Sequence, residues 1–225
     1  PAAIAWALVL MGVVAGGLWW QHRESLYGLF ALISLFGVAT VSGRLLTAPP
    51  VPWPAWGAVC GVALCALLLL MARFVLVAIA VLHTWMRIAF WVYLGLCTCA
   101  VTASFVLKQP LIYTLVLGSL QLPAMVMVYH IARKMWRAPT WEATWMCLAG
   151  VAVILAGARD FVVVRLPESG SMSFAVLPLA VFFLVLAMGW MVAGRYSRQV
   201  MAYRELNASL AQRIAEREAE LGASY

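Results

Sequence analysis

The chain has 225 residues, with fifteen Lys/Arg against eight Asp/Glu and a net charge of +7. Apolar residues make up 66% and charged residues 10%, and mean hydropathy is +0.98, whereas a soluble domain holds about 45–50% and about 25%. So few charges cannot cover a water-facing surface, which excludes a soluble globular domain. The basic residues fall mostly in short segments between apolar runs, which points to an anionic lipid surface rather than to nucleic acid.

A helix needs about 20 mostly apolar residues to cross about 30 Å of hydrocarbon. Seven segments qualify, near 2–20, 26–47, 55–80, 88–107, 110–132, 142–164 and 173–195. The predicted fold class is therefore an all-α membrane protein, a seven-transmembrane helix bundle. The connections are short and carry the charges and prolines, so no length remains between spans for an extramembrane domain.

Span one opens on Pro1 without a basic n-region, so it does not read as a signal peptide. The chain also stops at Tyr225 inside a charged, helix-prone stretch, and it reads as a piece of a longer protein. Gly12 and Gly16 in span one, and Gly57 and Gly61 in span three, form two GxxxG pairs. Such pairs let helix backbones approach closely; internal packing is the expected use and a dimer face the alternative. Arg73 lies in the third span. Either it is an intramembrane cation that snorkels or pairs with a carboxylate, or the span ends near Met71 and leaves it at the interface. All five cysteines sit in apolar runs and read as packing residues rather than a disulfide framework.

Pro123 in span five and Pro178 in span seven each remove a backbone hydrogen bond and are expected to kink their helices, with Pro178 as a hinge. His83 and His130 lie near span ends without a spacing that supports metal or haem ligation. Glu142 stands in the first turn of span six, where a carboxylate complements the helix dipole. Arg159 and Asp160 close span six. Adjacent residues on a helix do not face each other, so the two need not pair; Asp160 is placed to reach Arg165 or Arg44 and close the outer mouth of the bundle, or to bind a cationic or polar ligand. These four residues are the candidate outer-face polar site.

Orientation follows from Lys/Arg in the short loops. With the amino end outside, the inner segments carry Arg23, Arg87, Arg133, Lys134, Arg137, Arg195, Arg198 and Arg204, and the outer ones carry Arg44, Lys108, Arg159 and Arg165. That asymmetry predicts the amino end outside and the carboxyl end in the cytoplasm. Trp19, Trp20, Trp53, Trp56, Trp85, Trp136 and Trp141 lie at span ends, as an interfacial belt does.

After Tyr196 the composition turns to Arg, Glu, Ala, Gln and Leu, all good helix formers. Residues 1–196 therefore read as the transmembrane domain, and 197–225 as a cytoplasmic helix continuing span seven. Val200, Tyr203, Asn207, Leu210, Ile214, Arg217 and Leu221 fall at alternating a and d positions of about three heptads. Asn207, Leu210 and Ile214 are the candidates for setting register in a homodimeric coil.

What is missing narrows the function. The only lysines are Lys108 and Lys134, so span seven has no attachment site for retinal. Intramembrane carboxylates are too sparse for a proton or ion carrier, and no paired broken helices are evident. No nucleophile–base pair, zinc motif or phosphate loop appears, so the chain carries no catalytic residues and implies no cofactor and no metal.

Three stretches sharpen the picture: Gln21-His22-Arg23-Glu24-Ser25-Leu26-Tyr27-Gly28 at the start of span two, Ala158-Arg159-Asp160-Phe161 at the end of span six, and the tail from Glu205 to Leu221. Together they resemble the bacterial seven-transmembrane receptors with diverse intracellular signalling modules. The tail is similar to the linker that leads into sensor histidine kinases and sometimes into diguanylate cyclases. Asp160 occupies the family's acidic position, with Arg159 where a His is often found. The resemblance implies a multi-pass protein of the bacterial inner membrane. An unknown small ligand or an outer domain would set its state, and a histidine kinase or a cyclase would follow the coil. A small transporter and a structural membrane subunit are the alternatives from other classes.

Overall fold

In the computed structural model the described residues are 2–45, 51–52, 54–79, 83–137, 141–165 and 176–223, with the side chains of 2, 44, 45, 142, 164, 165, 215 and 217–223 left out of the description. Every described element is an α-helix: α1 (Ala2–His22), α2 (Ser25–Leu45), α3 (Ala55–Ala78), α4 (Thr84–Val106), α5 (Pro110–Ser119), α6 (Gln121–Arg137), α7 (Trp141–Arg165) and α8 (Leu177–Ala223). Seven stretches are long and apolar enough to cross a membrane, with α5 and α6 together forming one of them. The protein is thus an all-α, multi-pass membrane protein. It divides into two compact units, Pro1–Gly189 and Trp190–Tyr225.

The first unit is organised around α3. Apart from Arg73 this helix is apolar on every side, and a helix without a polar face belongs in the middle of a bundle. Met71, Phe74, Val75 and Leu76 are almost wholly buried. α2, α4 and α6 pack on α3, α1 packs on α2, and α7 packs on α6. α1 instead turns Trp6, Leu10, Val13 and Val14 outward, the exposure that a lipid-facing helix tolerates.

The glycines explain how closely α3 is approached. A Cβ on Gly61 would stand 2.9 Å from Val101 and 3.1 Å from Tyr113, and one on Gly57 would collide with the Phe105 ring. This GxxxG pair therefore receives side chains of α4 and α5 from within the same chain. In α1, Gly12 lies against Ser34 of α2, while Gly16 faces open space.

Hydroxyls inside the spans are satisfied locally, as hydrocarbon requires. Ser34, Thr40, Thr98, Thr102 and Thr114 each donate to the carbonyl four residues back. Lys134 Nζ donates to the Ile79 carbonyl just past the end of α3, placing a cation at a helix C-terminus. Trp19, Trp20, Trp85, Trp136 and Trp141 are exposed at helix ends as expected. Trp53 lies outside the described residues.

Two expectations change. Span five is not one kinked helix: α5 stops at Ser119 and α6 restarts at Gln121. Pro123 is the cause. Its ring clashes with the carbonyl four residues earlier, that of Ser119, and it is tolerated only in a first turn, which is where the break puts it. Pro178 is likewise the second residue of α8, not an interior one. It has no helical hydrogen bond to break there, so the expected hinge loses its physical basis. The third span keeps its expected length, with α3 running on to Ala78 and Arg73 in its last turns.

Candidate functional site

The candidate site lies where α7 ends and α8 begins. The first four N–H groups of a helix have no partner within it. At α8 they are all accounted for. Asp160 Oδ1 accepts from the Val176 N–H at 3.2 Å and Oδ2 from the Leu177 N–H at 2.9 Å. Pro178 has no N–H to satisfy, and Leu179 N–H donates to the Val176 carbonyl at 3.1 Å. One carboxylate on α7 thus caps the helix that follows it. It also complements the positive end of that helix's dipole.

Arg159 Nη1 lies 3.0 Å from Asp160 Oδ1. Adjacent residues need not pair, but these two do. Two side chains leaving one helix end in different directions still meet when one is as long as arginine. The Arg159 side chain is 46% exposed and that of Asp160 only 17%, so the guanidinium sits on the solvent side of a carboxylate already committed to backbone donors. The side chains of Arg44 and Arg165, the other expected members, lie outside the described residues, as does that of Glu142.

Asp160 also borders a cavity of about 320 Å³. Its walls are the apolar faces of α3, of α5 and α6 around the break at Leu120, and of α7 and α8. Tyr113, Thr114, Gln121 and Asp160 are the polar residues on the wall. Gln121 presses against Gly157 of α7, where any Cβ would collide with its amide. A mostly apolar cavity with a few convergent polar groups is the usual form of a small-molecule site. On the far side of α8, Leu177 and Pro178 border a second cavity of about 80 Å³ against α1, α2 and α3. The first turn of α8 therefore has free volume on two sides and one carboxylate holding it.

Tyr113, Thr114 and Gln121 did not emerge from the sequence as site residues. Gln121 carried a usable signal, since an amide within an apolar run needs a partner. The two others read as ordinary interior residues of span five. His130 packs edge-on against Tyr129, and no cluster of three metal-binding side chains occurs among the described residues.

The second unit is a helix with a stripe on it. Tyr203, Asn207, Leu210 and Ile214 follow each other at alternating intervals of four and three, so they share one face. All four are exposed, Tyr203 at 64% and Ile214 at 60%. The side chains of Arg217 and Leu221 lie outside the described residues.

Comparisons with protein-family models, with curated proteins and with solved structures find no match for the chain.

Proposed function

We propose that this chain is the membrane sensor module of a bacterial signal-transduction receptor, passing the state of a bound ligand or outer domain through α8 to a cytoplasmic histidine kinase. The observation that carries the reading is the Asp160 cap. The residue holding the first turn of α8 also borders the 320 Å³ cavity. A compound entering that cavity competes for the carboxylate or for the space beside Leu177 and Leu184, and so acts directly on the start of α8. That same helix is 47 residues long and carries the exposed stripe of Tyr203, Asn207, Leu210 and Ile214.

The mechanism is a two-state equilibrium of the bundle. One state keeps the Asp160 cap and the other releases it. A ligand shifts the balance by no more than its difference in affinity for the two. The stripe pairs with that of a second copy in a parallel coil, in which Asn207 at an a position sets register. In this reading the membrane is the bacterial inner membrane, the amino end lies outside and the carboxyl end in the cytoplasm, as the basic loop residues favour.

The test is a chimera with a sensor kinase output domain joined in heptad register after the tail, read by autophosphorylation in vesicles. Asp160→Ala and Asp160→Asn should shift the kinase set-point while the protein stays folded. Variants that lose stability yet leave the set-point unmoved would instead support a structural subunit. A cyclase chimera that responds where the kinase one does not would transfer the reading to a diguanylate cyclase output. Solute flux in liposomes carrying the chain alone would favour the transporter. A reporter fused after Ala223 that is active only outside the cytoplasm would reverse the orientation.

A further inference from the structure

At the end of the bundle where α3 finishes and α4 begins, two guanidinium groups face one open groove. Arg73 comes from the last turns of α3 and Arg87 from the first turn of α4. The groove has a volume of about 630 Å³ and runs between α2, α3 and α4. Leu29, Leu32, Leu70 and Val77 line it, and no Asp or Glu does. Arg73 stacks on the exposed Trp91 ring, its Cζ 5.1 Å from the centroid. Its Nε is buried without a hydrogen-bond partner.

This arrangement is costly as it stands. Arg73 and Arg87 line the same groove, so their like charges repel. Arg87 also stands at the positive end of the α4 dipole, where a cation is disfavoured. A buried donor on a charged group without an acceptor adds a further cost. All three penalties are relieved by one thing, an anion placed between the two arginines. The groove leading away from them is apolar and open sideways, which a free anion in water does not need and an acyl chain does.

We propose that this groove is a binding site for an anionic phospholipid of the surrounding leaflet. The lipid phosphate sits between Arg73 and Arg87, and one acyl chain lies along Leu29, Leu32, Leu70 and Val77. Arginine suits this role because its planar fork donates two hydrogen bonds at once to phosphate oxygens. Trp91 holds the Arg73 guanidinium at the height of the headgroups. The site is separate from the Asp160 cavity, with which it shares no lining residue, and it stands whether or not the chain is a receptor.

The test is native mass spectrometry of the full chain released from detergent containing equal amounts of phosphatidylglycerol and phosphatidylcholine with matched acyl chains. The wild type should retain phosphatidylglycerol in preference. Arg73→Gln with Arg87→Gln should lower that retention by about thirtyfold, the equivalent of about 2 kcal/mol for two interfacial arginines, and leave phosphatidylcholine unchanged. Arg87→Gln alone, at an exposed position, should lower it by about fivefold even if the half-buried Arg73 proves necessary for folding. Lys108→Gln, at the other end of α4, should have no effect. Equal retention of the two lipids by the wild type, or an undiminished preference in Arg87→Gln, overturns the proposal. So does displacement by glycerol phosphate at the concentration where the lipid itself competes, which would make the site one for a soluble phosphate.

Discussion

Replacing Asp160 with alanine removes the acceptor for two backbone N–H groups at the start of α8. The size of the effect can be worked out from the two bonds. Hydrogen bonds to a charged group contribute about 1.5–3 kcal/mol each. Val176 is exposed, so water replaces most of its bond and about 1 kcal/mol remains. The bond to Leu177 is partly buried and keeps about 2 kcal/mol. The ion pair with the half-exposed Arg159 adds little. The sum is about 3 kcal/mol, concentrated at the start of α8. Hydrogen exchange read by mass spectrometry should show peptides covering 179–185 losing about a hundredfold in protection, at about 1.4 kcal/mol per tenfold. Peptides from the middle of α3 should change only by the drop in global stability. Asp160→Asn keeps one acceptor and should fall between the two. If the alanine variant exchanges the start of α8 at the wild-type rate, the cap does not hold that turn. The proposed route from cavity to α8 then fails with it.

Three further outcomes follow from the packing. Gly61→Ala drives a Cβ to 2.9 Å from Val101 and should cost about 1–3 kcal/mol, whereas Gly16→Ala meets nothing within 4 Å and should leave thermal stability equal or slightly higher. Equal losses in the two would mean that the α1 pair packs on a second copy. Lys108 holds a left-handed φ of 53°, which costs a non-glycine residue about 1–2 kcal/mol. Lys108→Gly should therefore raise the melting temperature by about 1–4 °C after glycine's own entropy is deducted. Pro178→Ala should move it by less than about 2 °C, because a first-turn proline has no helical bond to restore; a large change in either direction would reinstate the hinge.

The seven spans were legible because hydrocarbon imposes a length on every helix and the loops hold the charges. Most helix ends fall within about four residues of their expected positions. The break at Leu120 was hidden because proline acts on the carbonyl four residues before it, so the visible residue and the interrupted one are different. Of the candidate site, Asp160 was legible as a rare intramembrane acid, but its partners were not. Val176 and Leu177 offer only their backbone N–H groups, which any non-proline residue would supply at the same places. The two GxxxG pairs show the same limit, since identical spacing accompanies a filled groove on α3 and an open surface at Gly16 of α1. Arg73 stood out by its charge, whereas the facing of Arg87 depends on how α3 and α4 lie together.

The stripe on the distal part of α8 has a consequence for how the protein can be handled. About three heptads, one interrupted by an asparagine, make a weak pair when the peptide is free in water. Anchored to a membrane span, every copy of the stripe is confined to a layer a few nanometres deep and shares its orientation with every other. Confinement of this kind supplies effective concentrations in the millimolar range without any new contact. If the stripes pair as proposed, pairing becomes a property of surface density: it should rise as protein is added to a fixed area of bilayer and vanish when detergent dilutes the chains into separate micelles. For the proposed coil, a measurement in detergent would thus underestimate pairing in the bilayer, and the protein-to-lipid ratio would be the variable to control.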